Sequence, residues 1–124
     1  IKLDTNGTNS KFLEKYLEKF DYIAMDFKTL YYEKYLKCSE KNILESLNVL
    51  KNGKTPYEIR ITMYPPYINE EDFVEIAETL KGVKKVFIQQ YKVVEGASER
   101  VYSRDVLEKF KKILELKGIS GEIR

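Results

Sequence analysis

Apolar positions along the chain follow two spacings. Short, mostly apolar runs (IKL, DYIAMDF, YEIRITMY and KKVFIQQY) stand between longer stretches whose apolar residues recur every three or four positions. Runs of that length suit strands, and the longer period suits amphipathic helices. In NSKFLEKYLEKF the residues Phe12, Leu13, Tyr16, Leu17 and Phe20 fall at helical spacing. KTLYYEKYLKCSEKNILESLNVLKNG is predicted mostly helical, in two pieces, with Ile43, Leu44, Leu47 and Leu50 on one face and Gly53 as a C-cap. Pro65 and Pro66 stop the third run, because proline cannot continue a sheet ladder. Asn69 is predicted to cap a helix with Phe73, Ile76, Ala77 and Leu80 as its buried stripe, ending at Gly82. VVEGASERVY reads as an irregular loop. Ser103 then begins a helix carrying Val106, Leu107, Phe110, Ile113 and Leu114, which ends near Gly118, and ISGEIR closes as a short strand.

The result is β-α-β-α-β-α-β-α-β. Such alternation predicts an α/β fold, a parallel β/α repeat of five strands and four to five helices with right-handed crossovers. It fits a small open sheet or a piece of a larger barrel. The sequence opens abruptly at Ile1, with an apolar residue and no preceding segment, which predicts a missing upstream part.

Composition narrows the chemistry. At 124 residues the chain has room for one domain with a modest core. With 22 basic and 20 acidic residues well mixed, no basic block points to nucleic acid. No apolar run approaches the roughly 20 residues needed to span a bilayer. No signal-peptide pattern is found either, so a cytoplasmic location is expected. The absence of histidine excludes Ser-His-Asp and Cys-His catalysis within the chain, and any His-ligated metal. A single cysteine, Cys38, excludes an internal disulfide or a Cys-rich metal site.

In parallel α/β folds ligands bind at the carboxyl ends of the strands. There the first run delivers Asp4, Thr5, Asn6 and Gly7, and the second Asp26 and Lys28. The third delivers Arg60, Thr62 and Tyr64, and the fourth Gln89, Gln90, Tyr91 and Lys92. Four polar strand ends in a row suggest a site. Each has a plainer reading. Asp4 to Gly7 also makes a turn and cap, and Asp26 also caps a helix or pairs with Lys28. Arg60, inside an apolar strand, must reach solvent, pair with a buried carboxylate or bind an anion. Gln89 and Gln90 also serve to tie down loops. Tyr31, Tyr32 and Tyr35 read as helix packing rather than a stacking platform, and Cys38 as a small buried residue.

KLDTNGT, DYIAMDFK, YEIRITMYPP and FIQQYK occur in the order and spacing of radical S-adenosylmethionine activating enzymes. The chain resembles the anaerobic ribonucleotide reductase activating proteins, with the pyruvate formate-lyase activating enzyme as a relative. The resemblance implies a (β/α) barrel that binds S-adenosylmethionine on a [4Fe–4S] cluster held by a Cys-x-x-x-Cys-x-x-Cys loop. It also implies a 5′-deoxyadenosyl radical that abstracts hydrogen from a glycine of a partner glycyl radical enzyme. Residues 1–124 would be one domain, the C-terminal portion of that barrel, without the cluster-binding N-terminal half and inert alone. The resemblance assigns Asp4, Thr5 and Asp26 to a monovalent cation beside the methionine carboxylate. It assigns Asn6, Lys28, Arg60 and Gln90 to cofactor contacts. Lys92 stands where the pyruvate formate-lyase activating enzyme has a histidine. A half barrel is expected to self-associate through its open strand edge and an uncovered apolar inner face. The competing expectations are a free-standing α/β module binding an anionic metabolite through Arg60 and Lys28, and a purely structural domain.

Overall fold

A computed structural model describes residues 1–93 and 100–124. The strands are β1 Lys2–Thr5, β2 Tyr22–Asp26, β3 Tyr57–Met63, β4 Lys85–Gln90 and β5 Ser120–Ile123. The helices are α1 Ser10–Tyr16, α2 Tyr32–Leu36, α3 Glu40–Asn52, α4 Phe73–Thr79 and α5 Arg104–Leu116, with 3₁₀ turns at Leu17–Lys19 and Glu70–Asp72. The strands form one sheet in the order β1-β2-β3-β4-β5, every neighbouring pair parallel. The expected β/α repeat is therefore the observed one. The loop expected over residues 93–102 falls largely on 94–99, outside the described residues.

Side chains alternate across a strand, and here the alternation divides the sheet sharply. One face presents Ile23, Met25, Ile59, Ile61, Met63, Val86 and Ile88 to a single core cluster. The buried stripes of α1, the 3₁₀ turn that follows it, α3, α4 and α5 complete that cluster with Leu13, Leu17, Ile43, Leu47, Leu50, Phe73, Ile76, Phe110 and Leu114. Each such side chain stabilises the fold by about 1.5–3 kcal/mol when fully buried. Three helices start on side-chain caps, where Asn9, Ser39 and Ser103 accept from the amides of Phe12, Asn42 and Val106.

Some sequence expectations change in detail. Phe12 and Tyr16 are exposed and pack with tilted rings along the flank of α1, centroids 4.9 Å apart, while Leu13 and Leu17 face the core. In α3 the inward arc is Ile43, Ser46, Leu47 and Leu50, so Leu44, one position off it, is 47% exposed. Ser46 tolerates full burial because its hydroxyl donates to Gly7 O at 2.7 Å. Asn69 precedes a 3₁₀ turn rather than α4 itself, and its side chain makes no cap bond.

The opposite face of the sheet is not apolar, which corrects the expected inner surface. The strand registers place Lys2, Asp4, Tyr22, Asp26, Glu58, Arg60, Thr62, Phe87, Gln89 and Glu122 on it. Near the amino ends of the strands Tyr22 donates to Glu58 Oε1 at 2.9 Å, and Arg124 lies 3.7 Å from Glu58 Oε2 and over the Phe87 ring. Parallel sheets are ordinarily covered by helices on both faces; a polar uncovered face is what a barrel interior presents to a ligand.

Candidate functional site

The carboxyl end of the open face carries a string of alternating charge. Asp26 and Arg60 are register partners on β2 and β3, and Arg60 Nε lies 3.2 Å from Asp26 Oδ1. The same guanidinium reaches past β2 to β1, where Arg60 Nη2 lies 3.4 Å from Asp4 Oδ1. Lys2 Nζ lies 3.9 Å from the same Asp4 oxygen. Arg60 is the shielded member, its side chain 18% exposed against 64% for Asp4 and 44% for Asp26. Two carboxylates on neighbouring strands repel unless a cation separates them, and the Arg60 guanidinium takes that position. Asp26 makes no ion pair with Lys28 among the described residues.

Beside this string lies a cavity of about 360 Å³ lined by Asp26, Lys28, Arg60, Thr62 and three tyrosines, Tyr64, Tyr67 and Tyr91. Sequence reasoning missed Tyr67. The signal was the stretch Tyr64-Pro65-Pro66-Tyr67, whose prolines end β3 and turn the chain back, with the Tyr67 amide donating to Tyr64 O at 2.9 Å. Tyr67 stacks on Tyr35 of α2 at 5.4 Å, and Tyr64 packs edge-on against Tyr67 and Tyr91 at 4.8 and 4.6 Å. Tyr35 also meets Tyr31 edge-on at 6.1 Å. Tyr31 and Tyr35 thus join an aromatic row at the cavity, whereas Tyr32 is a core residue.

The remaining predicted residues act on the backbone around the site. Thr5 stands on the helix-covered face, and its hydroxyl accepts from the Gly7 amide at 3.1 Å. Asn6 Oδ1 accepts from the Thr8 amide and hydroxyl, at 3.1 and 2.8 Å, an Asx turn that fixes the exit of β1. Gln90 lies outside the cavity, and its amide nitrogen donates to Tyr102 O at 2.6 Å. Tyr32, almost fully buried, accepts the Lys28 amide on its hydroxyl at 2.8 Å and so fixes the turn after Asp26; burial pushes its phenol well above the ordinary tyrosine range. Tyr31 donates to Asp72 Oδ1 at 2.9 Å, and that bond to a carboxylate raises its phenol pKa. Cys38 is half-buried with its thiol directed at Leu36 O. One thiol cannot hold a [4Fe–4S] cluster, and the described residues include no group of three or more His, Cys, Asp or Glu placed to hold a metal ion.

No family model matches the chain. Over 109 residues it is 33% identical to a protein of Methanocaldococcus jannaschii named "Putative glycyl-radical enzyme activating enzyme". The alignment takes in 80% of this chain and 45% of that protein, so the chain spans less than half the length of the curated relative it matches. In fold it is similar to a domain of pyruvate-formate lyase-activating enzyme from Bacteroides vulgatus, with a TM-score of 0.79 at 15% identity, over 98% of this chain and 80% of that one. A radical SAM methyltransferase from Sphaerobacter thermophilus matches with a TM-score of 0.71 at 15% identity, over 100% of this chain and 40% of that one. At such identities the two structures speak for the fold alone. In sequence the chain thus resembles a glycyl-radical enzyme activating enzyme, and in fold a domain of pyruvate-formate lyase-activating enzyme. The free-standing anion-binding module is not favoured.

Proposed function

We propose that this chain, a relative of a named glycyl-radical enzyme activating enzyme, supplies the S-adenosylmethionine-binding wall of such an activase, with the cluster ligands lying outside these 124 residues. The observation that carries the reading is the Asp4–Arg60–Asp26 string at the carboxyl edge of the open face, beside a tyrosine-lined cavity. The cavity falls within the range of small-molecule sites, about 300–1,000 Å³. The bound cofactor would supply the hydrogen-abstracting chemistry of the family, and the chain's own residues hold it. Arg60 and Lys28 meet its carboxylate or ribose side, Asp4 and Asp26 its ammonium or a monovalent cation, and the tyrosines its apolar surface. Thr5, Asn6 and Gln90 keep the surrounding turns in register. The partner is a glycyl radical enzyme of the anaerobic ribonucleotide reductase kind, met in the cytoplasm. Self-association of the isolated chain would run through the unpaired edges of β1 and β5, since the open face is charged.

In the complete protein, Arg60→Ala and Asp4→Ala should each weaken S-adenosylmethionine binding about 10- to 100-fold, the range of one charge-assisted contact, with cluster content unchanged. Equilibrium dialysis alongside iron analysis reads both. Unaltered affinity in both variants removes the wall from the cofactor. The 124-residue chain, reconstituted anaerobically, should take up no stoichiometric iron; a cluster on this chain would sink the reading that its ligands lie elsewhere.

A further inference from the structure

Tyr31, Tyr35, Tyr67, Tyr64 and Tyr91 form a continuous row of rings, successive centroids 6.1, 5.4, 4.8 and 4.6 Å apart. The inner end, Tyr64, Tyr67 and Tyr91, lines the cavity. The outer end is Tyr31, which is 36% exposed and donates its phenol proton to the largely buried carboxylate of Asp72. We propose that this row is an oxidative escape path, carrying a stray radical from the cavity to Tyr31 at the surface. The inference rests on the activase reading in one respect, that a carbon-centred radical forms in the cavity.

The chain has ten tyrosines and no tryptophan, so apart from Cys38 its phenols are the side chains most easily oxidised by one electron. A phenol that loses an electron becomes a strong acid and settles as a neutral radical only where a base accepts its proton. That requirement selects the terminus. Tyr31 has Asp72 within hydrogen-bond distance, whereas the hydroxyl of Tyr32 accepts the Lys28 amide. Tyr22 also bonds a carboxylate, Glu58, but stands at the amino end of β2 away from the row.

The steps balance. A cavity phenol gives its hydrogen atom to the carbon-centred radical, breaking an O–H bond, forming a C–H bond and leaving a tyrosyl radical. An electron then moves along the row from Tyr31, whose proton passes to Asp72, while a solvent proton returns to the cavity tyrosine. A soluble thiol finally gives a hydrogen atom to the Tyr31 oxygen, Asp72 releases its proton to solvent in place of the one taken up in the cavity, and two thiyl radicals combine as a disulfide.

The test uses the 124-residue chain carrying Cys38→Ser and Thr62→Cys, with a ruthenium polypyridyl photo-oxidant attached at position 62, on the cavity lining. After flash oxidation with a nitroso spin trap present, peptide mass spectrometry locates the adduct. The expected site is Tyr31, with the adduct lost in Tyr35→Phe and in Tyr67→Phe, which keep the rings but remove the oxidisable phenol. Tyr16 is as exposed as Tyr31 and lies outside the row, so it serves as the control. A Tyr31 adduct undiminished by either variant, or adducts shared equally with Tyr16, overturns the path. Because the photo-oxidant replaces the cofactor, failure here is separate from failure of the S-adenosylmethionine-binding reading.

Discussion

Arg60, carried on β3, pairs with acids on both β2 and β1 through one largely buried side chain. Its placement was legible as a cation inside an apolar strand, and Asp4 and Asp26 as acids at strand ends. Which of their neighbours share the site was not legible, because adjacent residues on a strand face opposite ways. Thr5 follows Asp4 directly and therefore lies under the helices, where it holds Gly7 rather than facing Arg60. Gly7 itself shows how tightly the turn is set. It sits at φ +74, and an added Cβ would stand 2.2 Å from Met25 Cε, in a side chain with no exposed surface. Gly7→Ala should cost about 1–2 kcal/mol for the left-handed conformation alone. A lower urea midpoint at unchanged m-value would register it, and an unshifted midpoint would mean that the turn relaxes freely.

Helices and strands were read with the right identity and order, because long periodic stretches and bounded apolar runs report directly on burial. What the pattern blurred was which apolar residues of a helix lie on its inward arc. Leu44 and Tyr16 keep the spacing yet miss the core, since the packing partners of α3 and α1 decide where the arc is centred. Contacts between the ends of elements were equally invisible. Glu78 near the end of α4 pairs with Lys117 just beyond α5, an ion pair that lowers the Glu78 pKa. A depressed carboxylate pKa contributes stability that is present above the ordinary glutamate range and lost as pH falls through the folded-state value. Glu78→Gln should therefore lower stability slightly at neutral pH, and the two proteins should converge as acid protonates Glu78, so that the variant's acid decline is the shallower. Urea titrations across an acid pH series check this; parallel declines in the two proteins would show the pair to be fully screened by solvent.

For the molecule as a whole, one core under one sheet face holds everything in place, and its size leaves little margin. Phe110 has no exposed surface and packs 4.8 Å from Phe73 at the junction of α4 and α5. Phe110→Ala should cost about 3–5 kcal/mol, a large share of the roughly 5–15 kcal/mol typical of a domain. Chemical denaturation followed by circular dichroism measures it, and a loss below that of a surface substitution would show that the junction collapses around the void. The polarity of the other face was harder to foresee, since short polar alternation within an apolar run is masked by the residues that face the helices. The strictly consecutive strand order has a further consequence, for growth. Each strand touches only the one before it and the one after, so another β/α unit can join either edge without threading and without breaking an existing pair. The two edges are not equivalent. A unit joining beyond β5 has two strands, β4 and β5, between it and Arg60, whereas any strand paired with β1 lies directly against Asp4. One side of the sheet can lengthen with little effect on the string of charges, and the other cannot be extended without adding to it.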